Sequence, residues 1–225
     1  ILCGAMTWVS DPKLVTGIGR AGGFGLLAGG NAPVDVLKDQ ILKTRDLSDH
    51  PFGVNLITLA PVYQDQLEMV SDLKCNMVVF AGGIPRKREI YQAKQAGART
   101  ICFAPTAPLA HKLIERGADA LILEGSEAGG HIGPVALSVL IQQILFDVKE
   151  VPVFVAGGIA TGRMIAHLLM MGAAGVQMGT RFIMADECLA HKAFKEAFIK
   201  ARARDALATP QFDSRLPVIP VRALK

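Results

Sequence analysis

Val153-Phe154-Val155-Ala156-Gly157-Gly158-Ile159-Ala160-Thr161-Gly162 is the stretch whose reading decides the fold. Val-Phe-Val is apolar on both faces, as a buried parallel strand requires. The glycine pair that follows turns the chain. From Gly162 to Met171 apolar residues recur at spacings of three and four, the period of an amphipathic helix. Met171-Gly172-Ala173 ends that helix, because glycine at the first position beyond it accepts the left-handed conformation. Gly175–Met178 then reads as a strand again. Strand, helix and strand in this order form a βαβ unit with parallel strands.

The same helix stop recurs at Ala21-Gly22-Gly23, Ala96-Gly97-Ala98 and Arg116-Gly117-Ala118. Working outward, strands are expected at Ile1–Gly4, Phe24–Ala28, Phe52–Ile57, Met77–Phe80, Thr100–Ala104, Ala120–Leu123, Val153–Ala156 and Gly175–Met178. Helices are expected at Pro12–Ala21, Val34–Arg45, Tyr63–Leu73, Arg86–Ala96, Pro108–Arg116, Val135–Val148, Gly162–Met171 and Ala190–Arg204. Eight alternations predict a (β/α)8 TIM barrel. An open doubly wound sheet is the competing fold, but Gly4-Ala5-Met6-Thr7-Trp8 after the first strand holds no GxGxxG phosphate loop. Residues 1–204 are read as the barrel domain. Residues 205–225, with Pro210, Pro217 and Pro220 and no helical period, are read as an irregular segment over the barrel mouth, the start of a substrate-covering region.

Apolar residues make up 51% of the 225, which excludes disorder for most of the chain. The 23 glycines follow no period, which excludes collagen. Net charge is only +4, the basic residues are scattered, and Arg86-Lys87-Arg88 has no aromatic platform beside it, so no nucleic-acid partner is expected. Cys3, Cys75, Cys102 and Cys188 form no CxxC pair and read as buried apolar residues of a reducing, cytoplasmic compartment. Ala128 to Phe146 carries no charged residue and is long enough to raise a membrane span. Its glycines, His131, Pro134, Gln142 and Gln143 suit a buried loop and helix better, so no membrane partner is expected. No signal peptide is visible. Ile1 is not an initiator Met and the chain ends abruptly, so missing residues are expected at both ends.

Chemistry in a barrel belongs at the C-terminal ends of the strands. The sixth strand runs into Glu124-Gly125-Ser126-Glu127-Ala128-Gly129-Gly130-His131-Ile132-Gly133, the seventh into Ala156-Gly157-Gly158-Ile159-Ala160, and the eighth into Gln177-Met178-Gly179-Thr180-Arg181-Phe182. Glycines let a phosphate approach the backbone, and exposed N–H groups bind it. A phosphorylated ligand on Gly157, Gly158, Gly179 and Thr180 is therefore expected, with ligand-free tight turns as the other reading. His131 sits in a glycine-flanked loop at this face and suits proton transfer near neutrality. His50, His111, His167 and His191 read as structural. Glu124 could accept hydrogen bonds from ligand hydroxyls or hold the loop's own N–H groups; Glu127 reads as solvated. Asn55, in a buried strand, is a candidate ligand contact. Met6 and Trp8 could pack on a planar ring or be plain core. No HExxH or Cys/His cluster marks a metal site, and no GxSxG elbow occurs.

At these residues, together with Ala21-Gly22-Gly23-Phe24-Gly25 and Pro51-Phe52-Gly53-Val54-Asn55, the chain resembles the nitronate monooxygenase family, formerly 2-nitropropane dioxygenases, which includes FMN-dependent enoyl-[acyl-carrier-protein] reductases. The resemblance covers essentially the whole chain. It implies an FMN-binding barrel with the phosphate on Gly157, Gly158, Gly179 and Thr180. The ring and ribityl chain would meet Met6, Asn55, Glu124, Gly130 and Gln177, and Ala156 and Met178 in the same motifs would also bind the cofactor. His131 would be the catalytic residue. Relatives continue into a C-terminal helical segment that covers the substrate cleft. The implied substrate is a small molecule. It is an alkyl nitronate or nitroalkane oxidised with O2 and His131 as base, or, as the alternative, an enoyl thioester reduced with NAD(P)H. Gly29-Gly30-Asn31-Ala32-Pro33 resembles the reductase branch. A homodimer is kept open as the assembly. A flavin-free sugar-phosphate lyase or isomerase is the more remote class; such enzymes often place a Lys at a strand end, and no expected strand here ends in one. A non-catalytic FMN carrier would leave His131 without a role.

Overall fold

The computed structural model describes residues 1–209 and 221–224. Its parallel strands are β1 (Leu2–Cys3), β2 (Phe24–Ala28), β3 (Gly53–Ile57), β4 (Met77–Ala81), β5 (Arg99–Ala104), β6 (Ala120–Glu124), β8 (Val153–Ala156) and β9 (Gly175–Met178). They close in that order, with Leu2 and Cys3 of β1 pairing Gln177 and Met178 of β9. The short strand β7 (Gly130–His131) stands outside the ring. Helices α1 (Pro12–Arg20), α2 (Val34–Leu47), α3 (Tyr63–Asp72), α4 (Lys87–Gln95), α5 (Ala107–Glu115), α6 (Leu137–Ile144), α7 (Gly162–Met170) and α8 (Lys192–Lys200) complete a (β/α)8 TIM barrel.

The apolar runs acquire two cores because alternate residues of each strand face opposite ways. Leu2, Leu26, Val79, Ile101 and Ile122 pack inside the ring with Phe24, Met77 and Phe154. Leu27, Val54, Leu56, Phe80, Leu121, Leu123, Val155 and Val176 pack outward under the helices. Each fully buried side chain of this kind contributes roughly 1.5–3 kcal/mol.

The glycine stops behave as the sequence predicts. Gly22, Gly97, Gly117 and Gly172 have φ of 80°, 95°, 96° and 103°. In each case the next residue donates its N–H to the carbonyl five positions back, as in Gly23 to Ile18 and Ala173 to Leu168. This is the Schellman closure. α3 ends the same way, with Cys75 N–H on Val70 O, but its left-handed residue is Lys74, at φ 50°. Asp11 caps α1 through Leu14 N–H at 3.0 Å, and Thr161 caps α7 through Met164 N–H at 3.3 Å.

Boundaries differ from expectation mainly late in the chain. α6 is shorter than Val135–Val148: Pro134 and Val135 lie in a bend, Ala136 is extended at the helix start, and the helix ends at Ile144. The last helix stops at Lys200, with a 3-10 turn at Ala203–Asp205 in place of its last turn. Part of the segment expected to be irregular is regular: β10 (Ala206–Thr209) pairs antiparallel with β11 (Val221–Leu224), and β11 pairs with β7. These strands exist through partners far along the chain, which a local period cannot reveal. Pro210, Pro217 and Pro220 lie outside the described residues.

All four cysteines are buried and free, as expected; burial, with Cys188 nearby, pushes the Cys3 thiol up to about 12, leaving it an inert packing group. No helix among the described residues is long and apolar enough to cross a membrane, and among them no cluster of His, Cys, Asp and Glu could hold a metal ion.

Candidate functional site

Strand alternation aims three polar side chains into the barrel at its C-terminal end. Asn55 lies between Val54 and Leu56, and Gln177 between Val176 and Met178, neighbours that all belong to the outer core. Both side chains therefore face inward. Glu124 follows the inward Ile122 by two positions. In the closed order the three stand on β3, β6 and β9, spaced around the ring. Glu124 pairs in register with Ala156, and Ala156 with Gln177. Asn55 is on the opposite wall, in β3, which pairs with β2 and β4.

Burial pushes the Glu124 carboxyl up to about 8. Water loss disfavours the carboxylate, and no neighbouring cation offsets it. Glu124 thus holds its proton at neutral pH and can donate a hydrogen bond. Gln177 Oε1 is buried without a hydrogen-bond partner among the described residues. An orphaned acceptor of this sort costs roughly 1–3 kcal/mol, and a ligand donor would relieve it.

Above these residues the loops converge. A Cβ placed on Gly157 would sit 3.1 Å from Ala128 N, and one on Gly158 would sit 3.3 Å from Glu127 Cβ. One on Gly129 would be 3.5 Å from Thr180 Oγ1, and one on Gly179 would be 3.6 Å from Met6 Sδ. The loops after β1, β6, β8 and β9 are therefore one surface. Gly157 and Gly158 have φ of 106° and 66°, which side chains rarely tolerate. Gly157, Gly158 and Gly179 donate no backbone hydrogen bond among the described residues. Free N–H groups beside the Thr180 hydroxyl, in glycine-lined turns, fit an anionic group such as a phosphate.

His131 lies in β7 at this face, partly exposed, with its backbone in register with Val221 of β11. Met6 is held by its own turn, its N–H donating to Ser10 Oγ at 2.9 Å. Trp8 is 75% exposed with φ of 63°, so its indole is available to a ligand and is not core. Of the other histidines, His191 caps α8 by accepting from Ala193 N–H at 3.2 Å, and His111 Nε2 lies 3.4 Å from Asp147 Oδ2.

Three residues escape sequence reasoning. Glu127, expected to be solvated, is exposed but accepts the Leu137 N–H at the start of α6 at 2.8 Å. Gln66 is fully buried, and its Nε2 donates to Ala32 O at 2.8 Å and Gly29 O at 3.4 Å, fixing the loop after β2. Its signal was a lone amide within the apolar stripe Tyr63, Leu67, Val70. Arg222 contacts the His131 loop and left no local signal.

A cavity of about 540 Å³ opens at the opposite end of the barrel, walled by Leu2, Phe24, Met77, Ile101 and Phe154. Its one carboxylate, Asp119, is engaged by Thr100 and Lys94, so it lacks a free group for acid–base work.

The sequence matches the family model for nitronate monooxygenase over residues 1–66 and 57–224. Among relatives, a (3aS,4S,5R,7aS)-5-hydroxy-7a-methyl-1-oxo-octahydro-1H-indene-4-carboxyl-CoA dehydrogenase of Rhodococcus jostii (strain RHA1) is 36% identical over 208 residues. That alignment covers 92% of this chain and 58% of the dehydrogenase. FabK from Thermotoga maritima superposes with a TM-score of 0.92 at 38% identity, over 99% of this chain and 70% of that one. The nitroalkane oxidase from Streptomyces ansochromogenes superposes with a TM-score of 0.89 at 29% identity, over 100% of this chain and 76% of that one. The chain thus spans less than two thirds of the dehydrogenase's length. With the glycine turns and the Ala-Gly-Gly-His loop meeting at one rim, and the family model matching almost end to end, this chain belongs to the nitronate monooxygenase family.

Proposed function

We propose that the protein is an FMN-dependent oxidoreductase that oxidises alkyl nitronates or nitroalkanes with O2, with His131 as the base. One observation carries the reading: the free N–H groups of Gly157, Gly158 and Gly179 and the orphaned Oε1 of Gln177 share the rim with His131. Gly157, Gly158, Gly179 and Thr180 hold the phosphate. Met6, Asn55, Glu124, Gly130 and Gln177 hold the remainder of the cofactor, with Ala156 and Met178 shaping the strand ends beside it. When bound, FMN supplies the two-electron acceptor that no side chain here provides. His131 removes the α-proton of a neutral nitroalkane, leaving the proton on the imidazole and the C–H electron pair delocalised over the carbon and the nitro oxygens of the nitronate. Glu124 keeps its own proton and offers a neutral donor where a carboxylate would repel an anionic ligand.

A second reading is favoured by the order of identities. FabK at 38% and the carboxyl-CoA dehydrogenase at 36% exceed the nitroalkane oxidase at 29%. An acyl or enoyl thioester is then the substrate and NAD(P)H the co-substrate, with His131 moving a proton at the thioester α-carbon.

The first test adds FMN to the apoprotein and follows quenching of Trp8, the one tryptophan of the chain. Saturable one-to-one binding is expected; a folded protein that ignores FMN would refute both readings. Oxygen uptake with propyl nitronate, against anaerobic NADH consumption with crotonyl thioester, separates them.

A further inference from the structure

Arg222 sits in β11, yet its guanidinium is bonded to the loop that follows β6. Nε donates to Ala128 O at 3.1 Å, one Nη donates to Ser126 O at 2.6 Å, and the other donates to Ala206 O at 3.2 Å. The backbone of the same residue is in register with Gly130, and Val221 is in register with His131. One residue thus grips the loop before its glycine pair through the side chain and stands in register with the second glycine of that pair. The loop includes Gly125, Gly129, Gly130 and Gly133, so ordering it without an outside restraint costs more backbone entropy than ordering a loop of the same length without glycine. All three acceptors are main-chain carbonyls, so the contact fixes geometry and does not neutralise a charge. A planar fork of five donors spans three separate carbonyls; the compact ammonium of Lys cannot span them in one geometry.

We propose that Arg222 is the positioning residue for His131: by gathering the carbonyls of Ser126 and Ala128 and pairing beside Gly130, it fixes where the imidazole meets substrate. The claim rests on the proposed role of His131 as the base. It makes the segment beyond α8 part of the working site, since the restraint comes from β11. Because Ala128 and Glu127 also abut Gly157 and Gly158, the same grip sets the loop against the phosphate turn.

The test compares full-length Arg222→Ala and Arg222→Lys with the parent protein, both loaded with FMN. Hydrogen exchange of peptides spanning 125–133 and the rate of carbethoxylation of His131 report the loop directly. Both are expected to rise about tenfold or more in Arg222→Ala, with α1 to α5 unchanged. Turnover of a neutral nitroalkane should fall roughly 10- to 100-fold, the usual effect of a misplaced catalytic group. Turnover of pre-ionised nitronate, which needs no base, should stay within about twofold. Arg222→Lys should fall between the two, and millimolar guanidinium should restore part of the loss in Arg222→Ala. Unchanged exchange and carbethoxylation would overturn the proposal. So would a parallel loss of FMN binding and of both substrates, which marks a merely structural role. If the parent protein turns over neither nitro compound, the substrate reading fails alone, and exchange and carbethoxylation still decide the role of Arg222.

Discussion

Replacing Glu124 with Gln separates a desolvated carboxyl from one that water reaches freely. The amide has nearly the same shape and no charge. Burial lifts the Glu124 carboxyl from its ordinary 4.5 to about 8. Each tenfold change in proton affinity is worth about 1.4 kcal/mol, so this rise has an upper limit of about 5 kcal/mol. The side chain stands at an open mouth and is not fully buried, which reduces the expected value to about 2–3 kcal/mol. The direction follows from proton counting. Between 4.5 and 8 the native state keeps a proton that the unfolded chain has lost, so stability falls as pH rises through that window and is flat above it. The assay is urea unfolding of the apoprotein at pH 5, 6.5, 8 and 9. Parent and Glu124→Gln proteins should have similar stability at pH 5, and the Gln variant should be about 2–3 kcal/mol the more stable at pH 9, a shift near 1 M urea in midpoint. Two curves that run parallel from pH 5 to 9 would refute the desolvation argument.

Gly157→Ala places a Cβ 3.1 Å from Ala128 N at a φ of 106°; strain of roughly 1–3 kcal/mol should weaken FMN binding about 5- to 150-fold in the Trp8 quenching assay. Gly162→Ala, which meets nothing within 4 Å, should leave that binding unchanged. His131→Ala should retain FMN while turnover of neutral nitroalkane drops roughly 10²-fold or more; unchanged turnover removes His131 from the chemistry. Burial pushes the Asp119 carboxyl up, but hydrogen bonds from Lys94 and Thr100 outweigh it and hold it below its ordinary range. Asp119→Ala strands the N–H of the fully buried Thr100 and should cost roughly 1–3 kcal/mol at pH 7. That difference should shrink as pH falls below 3.8, because the unfolded chain takes up a proton there while the native carboxylate, held lower, stays ionised; a difference that is constant down to pH 2.5 would contradict the assignment.

The barrel was legible because its signals are local. Val153-Phe154-Val155 announces a strand buried on both faces, and Gly172 stops the helix that follows, through interactions spanning a few residues each. Where the stop is Lys74 and not glycine, the period of α3 still ended it. The site was legible in kind: glycine turns and a histidine loop at strand ends name their chemistry by composition, and alternation alone turns Asn55 and Gln177 inward. Other features came only from the closed ring and the folded tail. Closure brings Gly157 against Ala128 and Gly129 against Thr180, and it strips water from Glu124. The strand pair β10–β11 and the grip of Arg222 on Ser126 and Ala128 join positions too distant for any periodicity to register. The sequence by itself therefore determined which elements form and which residue types stand at the rim, because helix stops, strand alternation and turns are short-range physics. The tertiary structure alone decided proton affinity, orphaned acceptors and loop restraint, because each depends on what surrounds an atom and not on what precedes it in the chain.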